Sequence, residues 1–169
     1  SLGGMIAPAY AKKFPDNTIS VGLLSTVAGR SLNDKNKVIE IIKKMETQGI
    51  KKTLLTLKNR WFTDNFIKNN LPIVDRRIKQ VINTDPDVFL NVFRIYAETE
   101  MISWLNEIKK PCLVMTGEND LGCSPLHNKK ISLELINSEL ILLSNVKHSI
   151  LLEKPDETAS NMLKFLLKL

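Results

Sequence analysis

The three residue types that nucleophilic acyl chemistry needs occur along this chain in a fixed order: Ser1, then Asp120, then His148. Ser1 heads Ser1-Leu2-Gly3-Gly4, which places small residues where a sharp turn into a helix would crowd the backbone. The apolar run Met5-Ile6-Ala7-Pro8-Ala9-Tyr10 follows it. Asp120 comes after the strand-like run Pro111-Cys112-Leu113-Val114-Met115-Thr116, through Gly117-Glu118-Asn119. His148 comes after a second such run, Glu139-Leu140-Ile141-Leu142-Leu143, through Ser144-Asn145-Val146-Lys147. A serine hydroxyl becomes a nucleophile when an imidazole takes its proton, and a carboxylate fixes the imidazole tautomer and stabilises the imidazolium. Each residue also has a plain structural role open to it. Ser1 could cap a helix, Asp120 could serve the Asn-Asp turn before Gly122 and Pro125, and His148 could be a loop histidine like His127. The order of the three, with acid and base each after a strand-like run, favours nucleophile, acid and base.

Period and punctuation supply the elements that must position these groups. Helical spacing runs from Gly4 to about Phe14, Pro15-Asp16-Asn17 breaks it, and Ile19 to Leu24 reads as a strand. Asn33-Asp34 opens a helix with Val38, Ile41, Ile42 and Met45 on one face, ending near Gly49. Further helices are expected over Lys51 to Asn59, Pro72 to Asn83, Pro86 to Thr99 and Met101 to Glu107. Pro72 and Pro86 sit where a first-turn proline is tolerated. A terminal helix opens around Leu151-Leu152-Glu153-Lys154-Pro155-Asp156. A crossover between parallel strands needs one helix, so the surplus helices read as an inserted cap. The expected organisation is an α/β core at 1–28, holding the first helix and strand, a helical cap at 29–99, and core again at 100–169.

On these residues the chain resembles the α/β-hydrolase superfamily, with Ser1, Asp120 and His148 at the positions of its nucleophile, acid and base. Arg60-Trp61-Phe62-Thr63, then Phe66, and Thr84-Asp85-Pro86 are similar to the cap region of 3-oxoadipate enol-lactonases. The segments Ser1 to Ala7 and Gly117 to Asp120 agree with that family too. Lys, Asn and Ile stand where the family is usually richer in alanine and arginine.

The resemblance covers nearly the whole chain. It implies the C-terminal part of an α/β-hydrolase fold, parallel strands with flanking helices and an inserted helical cap. It implies cofactor-free hydrolysis of a lactone or carboxylic ester, with the Leu2 backbone N–H holding part of the oxyanion. Trp61 would then line the pocket, although a Trp-Phe pair at helix spacing suits core packing as well. Neither Arg60 nor Arg94 is singled out for a substrate carboxylate. The strand at Ile19 to Leu24 would pair with a strand preceding Ser1. Its apolar edge is therefore expected to recruit the missing N-terminal half or a second copy, with little activity in this segment alone. Other readings stay open: an ester or carbon–carbon bond hydrolase, a haloperoxidase-like member with the same triad, or a non-catalytic interaction module.

Composition bounds the alternatives. The chain has 169 residues, 43% hydrophobic and 25% charged, enough for a sizeable core. No apolar run approaches the ~20 residues that span a bilayer, so no membrane partner is expected. Cys112 and Cys123 lack C-x-x-C spacing and fit reduced thiols in the cytoplasm. With only His127 and His148 available, no zinc constellation can be assembled from spacing. Cys123 lies in the loop after the acid but lacks the setting of a nucleophile. The net charge of +6 comes from lysine pairs spread over several elements, which argues against nucleic acid and suits attraction of an anionic small molecule.

Overall fold

The computed structural model describes residues 1–169, apart from the side chain of Leu55. The chain divides into two compact units: residues 1–29 together with 100–169, and residues 30–99.

The first unit is built on three parallel strands, β1 (Val21–Leu24), β2 (Cys112–Gly117) and β3 (Ser138–Leu143), in the order β1-β2-β3. Val21 pairs with Cys112 and Cys112 with Ser138, so all three carboxyl ends lie at the same margin of the sheet. The central strand is buried along its whole length, which is why Cys112 to Thr116 reads as an almost unbroken apolar run rather than an alternation. β1 is shorter than expected, because Pro111 has no N–H to extend the ladder. Pro111 instead accepts from Val21 N–H at 2.9 Å, and Ile19 stays exposed. Beneath the strand ends, Leu113, Met115, Leu143, Val146, Ile150 and Phe165 form one apolar cluster.

The helices of this unit are α1 (Gly3–Lys13), α7 (Pro125–Glu134), α8 (Ile150–Glu153) and α9 (Pro155–Leu166). α1 approaches the chain after β1 so closely that a Cβ on Gly4 would lie 2.6 Å from Thr26 Cβ, whereas one on Gly3 would meet open space. The single terminal helix expected from the sequence is two helices. Pro155 restricts Lys154 to φ −137° and ψ 60°, outside the helical region, and the helix restarts at the proline. The expected helix over Met101 to Glu107 is only a 3-10 turn at Leu105–Glu107.

The second unit is all helix: α2 (Leu32–Gln48), α3 (Ile50–Trp61), α4 (Asp64–Asn69), α5 (Leu71–Ile82) and α6 (Pro86–Glu98). α2 starts at a capping box, in which the Ser31 hydroxyl accepts from Asp34 N–H and Asp34 accepts from Ser31 N–H. Gly49, at φ 84°, separates α2 from α3, a left-handed conformation suited to glycine. α4 is capped by Thr63, whose hydroxyl accepts from Phe66 N–H at 3.2 Å. At six residues it is too short for an apolar period to reveal. The unit's core is Met45, Leu54, Leu57 and Val81, with a second cluster of Phe62, Val74 and Ile78. At its base, Arg30 stacks on Tyr96 at 4.9 Å and donates to Thr99 O at 2.5 Å.

Candidate active site

Two loops at the carboxyl margin of the sheet bring an acid and an imidazole together. The first continues β2 through a tight turn, where Asp120 N–H donates to Gly117 O at 3.1 Å. The second leads from β3 through Ser144 and Asn145, the latter at φ 56° in a left-handed position that asparagine tolerates. Backbone hydrogen bonds join the loops: Glu118 N–H donates to Leu143 O at 2.8 Å and Asn119 N–H to Val146 O at 3.0 Å. Their approach is so close that a Cβ on Gly117 would lie 2.1 Å from Lys147 O. Only glycine fits there, on steric grounds alone.

This stitching places His148 Nδ1 2.7 Å from Asp120 Oδ2. Asp120 is 2% exposed, and its other oxygen accepts from Gly122 and Cys123 N–H, each at 2.9 Å. Burial by itself pushes this carboxyl up. The hydrogen bond from His148, its charge and the two amides outweigh burial, so the group ionises below the usual carboxylate range. Burial likewise opposes the charged imidazole. The hydrogen bonds that the imidazole makes to Asp120 and Cys123, and its attraction to both, prevail, and His148 is pushed up to about 9. A carboxylate that accepts the Nδ1 proton leaves Nε2 as the nitrogen available to take a proton from elsewhere.

The acid loop has further supports that the sequence did not advertise. Thr116 Oγ1 donates to Cys123 O at 2.9 Å from inside β2. Asn128, fully buried on α7, donates through Nδ2 to Thr26 O, Cys123 O and Ser124 O at 2.9–3.0 Å, tying the loop after β1 to the loop that carries the acid. In the sequence Asn128 is one polar residue among several in this stretch, and nothing about it signals the role. Ser25, next to Thr26, is a non-glycine residue at φ 43°, a strained backbone position at the same margin.

Ser1 precedes α1 and is exposed, and its backbone nitrogen lies 2.6 Å from Leu24 O, at the carboxyl end of β1. Leu2 is the residue just before the first turn of α1, and its N–H belongs to the donors that a helix start leaves without an intrahelical partner. Trp61 ends α3 in the other unit, half-buried against both of that unit's apolar clusters. Arg60 is exposed, and Arg94 pairs with Glu46 at 2.7 Å. His127 hydrogen-bonds Ser124 Oγ through Nδ1 at 2.9 Å. Among the described residues, no helix is long and apolar enough to cross a membrane.

No family model matches the chain. Solved structures do. The chain superposes on the enol-lactonase from Burkholderia xenovorans LB400 with a TM-score of 0.91 at 20% identity, covering 99% of this chain and 63% of that one. An alpha/beta hydrolase enzyme from a Medee basin deep-sea metagenome, MGS-M2, gives 0.85 at 21% identity over 98% of this chain and 62% of its own. A thermophilic esterase from Thermogutta terrifontis gives 0.85 at 18% identity, covering 99% of this chain and 62% of its own. Among curated proteins, the monoacylglycerol lipase ABHD6 of Bos taurus is 24% identical over 180 residues, 98% of this chain and 52% of the lipase. The chain thus spans about half the length of the curated relatives it matches. The fold is that of the α/β-hydrolases.

Proposed function

We propose that this chain carries the acid and base of a serine hydrolase that acts on a lactone or carboxylic ester, with an anionic enol-lactone as the preferred substrate class. Ser1 is the nucleophile in this reading, His148 the base, and Asp120 the group that orients and stabilises the imidazole. The observation that carries it is the 2.7 Å contact between His148 Nδ1 and Asp120 Oδ2, made by two loops at the carboxyl ends of adjacent parallel strands.

In this reading the chemistry is acyl transfer through a serine ester. His148 takes the Ser1 hydroxyl proton as the oxygen attacks the carbonyl. The oxyanion that develops accepts from Leu2 N–H, helped by the positive end of α1. Collapse of the intermediate expels the alcohol or enolate with the proton held by His148, and water then releases the acyl group by the same steps in reverse. A second oxyanion donor would come from a part of the protein beyond this chain. Loss of one donor typically costs a hundred- to a thousandfold in rate, so full activity belongs to the whole protein.

The enol-lactone preference rests on the Arg60-to-Phe66 segment, on the net charge of +6, and on likeness to an enol-lactonase structure. Trp61 is assigned to the pocket wall on the same grounds. The curated relatives, named for monoacylglycerol, make acylglycerol esters the competing class. Two free cysteines with no disulfide partner support a cytoplasmic location. β1 is an edge strand, and Ile6, Tyr10 and Ile19 are exposed on the same unit, which supports pairing with further chain or a second copy.

The decisive assay uses the full-length protein against a panel of enol-lactones, simple esters and acylglycerols, with Ser1→Ala and His148→Ala as controls. Hydrolysis lost in both variants supports the triad, and turnover confined to enol-lactones supports the substrate. Unchanged hydrolysis in His148→Ala would falsify the assignment.

A further inference from the structure

One cysteine sits inside the acid–imidazole pair without a part in the reaction. Cys123 is 1% exposed, three residues after Asp120, and its carbonyl is pinned by Thr116 and Asn128. Cys123 Sγ, a ring nitrogen of His148 and a carboxylate oxygen of Asp120 all lie within 4.8 Å of one another. We propose that these three side chains form a binding site for a borderline-soft divalent cation, zinc foremost, which holds the imidazole and switches the site off.

The donor set selects the ion. One sulfur, one nitrogen and one oxygen match the ligands zinc takes in tetrahedral sites, whereas magnesium and calcium require mostly oxygen. Zinc bonds of about 2.0–2.3 Å place ligand atoms roughly 3.5 Å apart, so modest side-chain rotations close the triangle. The surroundings are already fixed. Gly122 and Cys123 N–H groups orient the carboxylate, and hydrogen bonds to Cys123 O from two elements hold the loop. Such outer contacts are what a metal site needs to keep its ligands aimed. The Cys123 side lies against the protein interior, while the His148 side chain is 21% exposed, giving the ion a way in and leaving a fourth position for water.

Charge balances as the ion enters. Zinc replaces the thiol proton and the acidic imidazole proton, which pass to buffer, and the thiolate and carboxylate neutralise its two charges. An imidazole nitrogen bonded to zinc takes no proton from a serine, so binding is inhibitory. That last step rests on the hydrolase reading; the binding itself does not.

The test uses the 169-residue chain and does not require activity. Cadmium is titrated in as a thiolate reporter, read by its sulfur-to-metal ultraviolet absorption, and zinc is titrated by calorimetry in two buffers of different ionisation enthalpy. The expected result is one saturable site with proton release. Cys123→Ser abolishes the absorption and weakens zinc at least tenfold, and Cys112→Ser changes neither. His148→Gln, which keeps the thiol, also weakens both metals at least tenfold, separating a three-ligand site from a lone reactive sulfur. Circular dichroism on each variant confirms a folded chain. Absorption that survives Cys123→Ser, or affinity unchanged in His148→Gln, overturns the site. A parallel assay on the full-length protein separates the two readings: zinc binding without inhibition of hydrolysis leaves the metal site standing and removes its regulatory role.

Discussion

His148 Nδ1 lies 2.7 Å from Asp120 Oδ2, and the same carboxylate accepts two backbone amides through its other oxygen. The acid is therefore fixed from behind by the turn it sits in, and its other oxygen meets the imidazole. Asp120→Asn separates these functions. The amide oxygen still accepts from Gly122 and Cys123, so the turn survives, but the side chain now presents N–H groups to Nδ1. Full-length Asp120→Asn is expected to stay folded by circular dichroism but to lose about a thousand- to ten-thousandfold in kcat, the scale seen when a serine triad loses its carboxylate. Equal kcat in the variant would show that the pair is structural.

The same contact couples stability to pH. His148 is raised from 6.5 to about 9 because its interactions with Asp120 and Cys123 outweigh the opposing effect of burial. A group whose folded pKa is raised holds its full stabilisation below the unfolded value and loses it as pH climbs through the folded one. The chain should therefore weaken between about pH 6.5 and pH 9, by at most about 3 to 4 kcal/mol, given 1.36 kcal/mol per unit. Urea unfolding at half-unit pH steps reads this directly. His148→Gln should flatten the profile over that interval, and an unaltered slope would refute the coupling.

Much of this arrangement was legible in the sequence, and the reasons are physical. The nearness of Asp120 and His148 could be anticipated because each follows an apolar strand whose carboxyl end fixes where its loop begins, and parallel pairing carries that placement into space. The helices α2, α3, α5 and α6 announced themselves through apolar periods and, in the last two, first-turn prolines. What stayed hidden depends on contacts far apart in sequence. Asn128 reads as one polar residue on a helix, yet it hydrogen-bonds a carbonyl 102 residues away. The nearness of Cys123 to His148 depends on two loops closing, which spacing along the chain cannot express. α4 and the break at Pro155 were missed because helices of six and four residues carry no readable period.

The two glycines after Ser1 are not equivalent, although both fit a crowded turn on sequence grounds. A Cβ at Gly3 meets nothing within 4 Å, whereas one at Gly4 lies 2.6 Å from Thr26 Cβ. Gly3→Ala should stabilise by a few tenths to about 1 kcal/mol through helix propensity. Gly4→Ala should cost about 1–3 kcal/mol as α1 is forced off the sheet. Denaturant titrations of the two variants should shift the midpoint in opposite directions, and shifts of one sign would contradict the packing described.

Gly117 makes a harsher case because its neighbours are backbone. An added Cβ meets Lys147 O at 2.1 Å and Val146 O at 2.4 Å, and neither can rotate away. Gly117→Ala must therefore part the acid loop from the histidine loop. The expected cost is about 3 kcal/mol. The downfield Nδ1 proton of His148 in the NMR spectrum should also weaken or vanish, since the loops that align its partner no longer meet. Destabilisation with that proton unchanged would place the strain elsewhere.

Asn128 provides the sharpest contrast, between two substitutions at one buried position. Its Nδ2 group faces three carbonyl oxygens, from Thr26, Cys123 and Ser124. Asn128→Ala removes the donor and leaves those carbonyls under-satisfied, a loss of about 1–3 kcal/mol. Asn128→Asp keeps the shape but turns acceptor against acceptor. Its carboxylate must then either sit charged and unpaired in the interior or bind a proton that serves only one of the three oxygens. The aspartate should thus be the worse variant at pH 7, by about 2 kcal/mol or more, and should recover part of the difference as the pH falls and the carboxyl is protonated. Thermal melts at pH 5 and pH 7 measure both effects. An aspartate variant as stable as the alanine variant at pH 7 would mean that Asn128 does not point its amide at the acid loop.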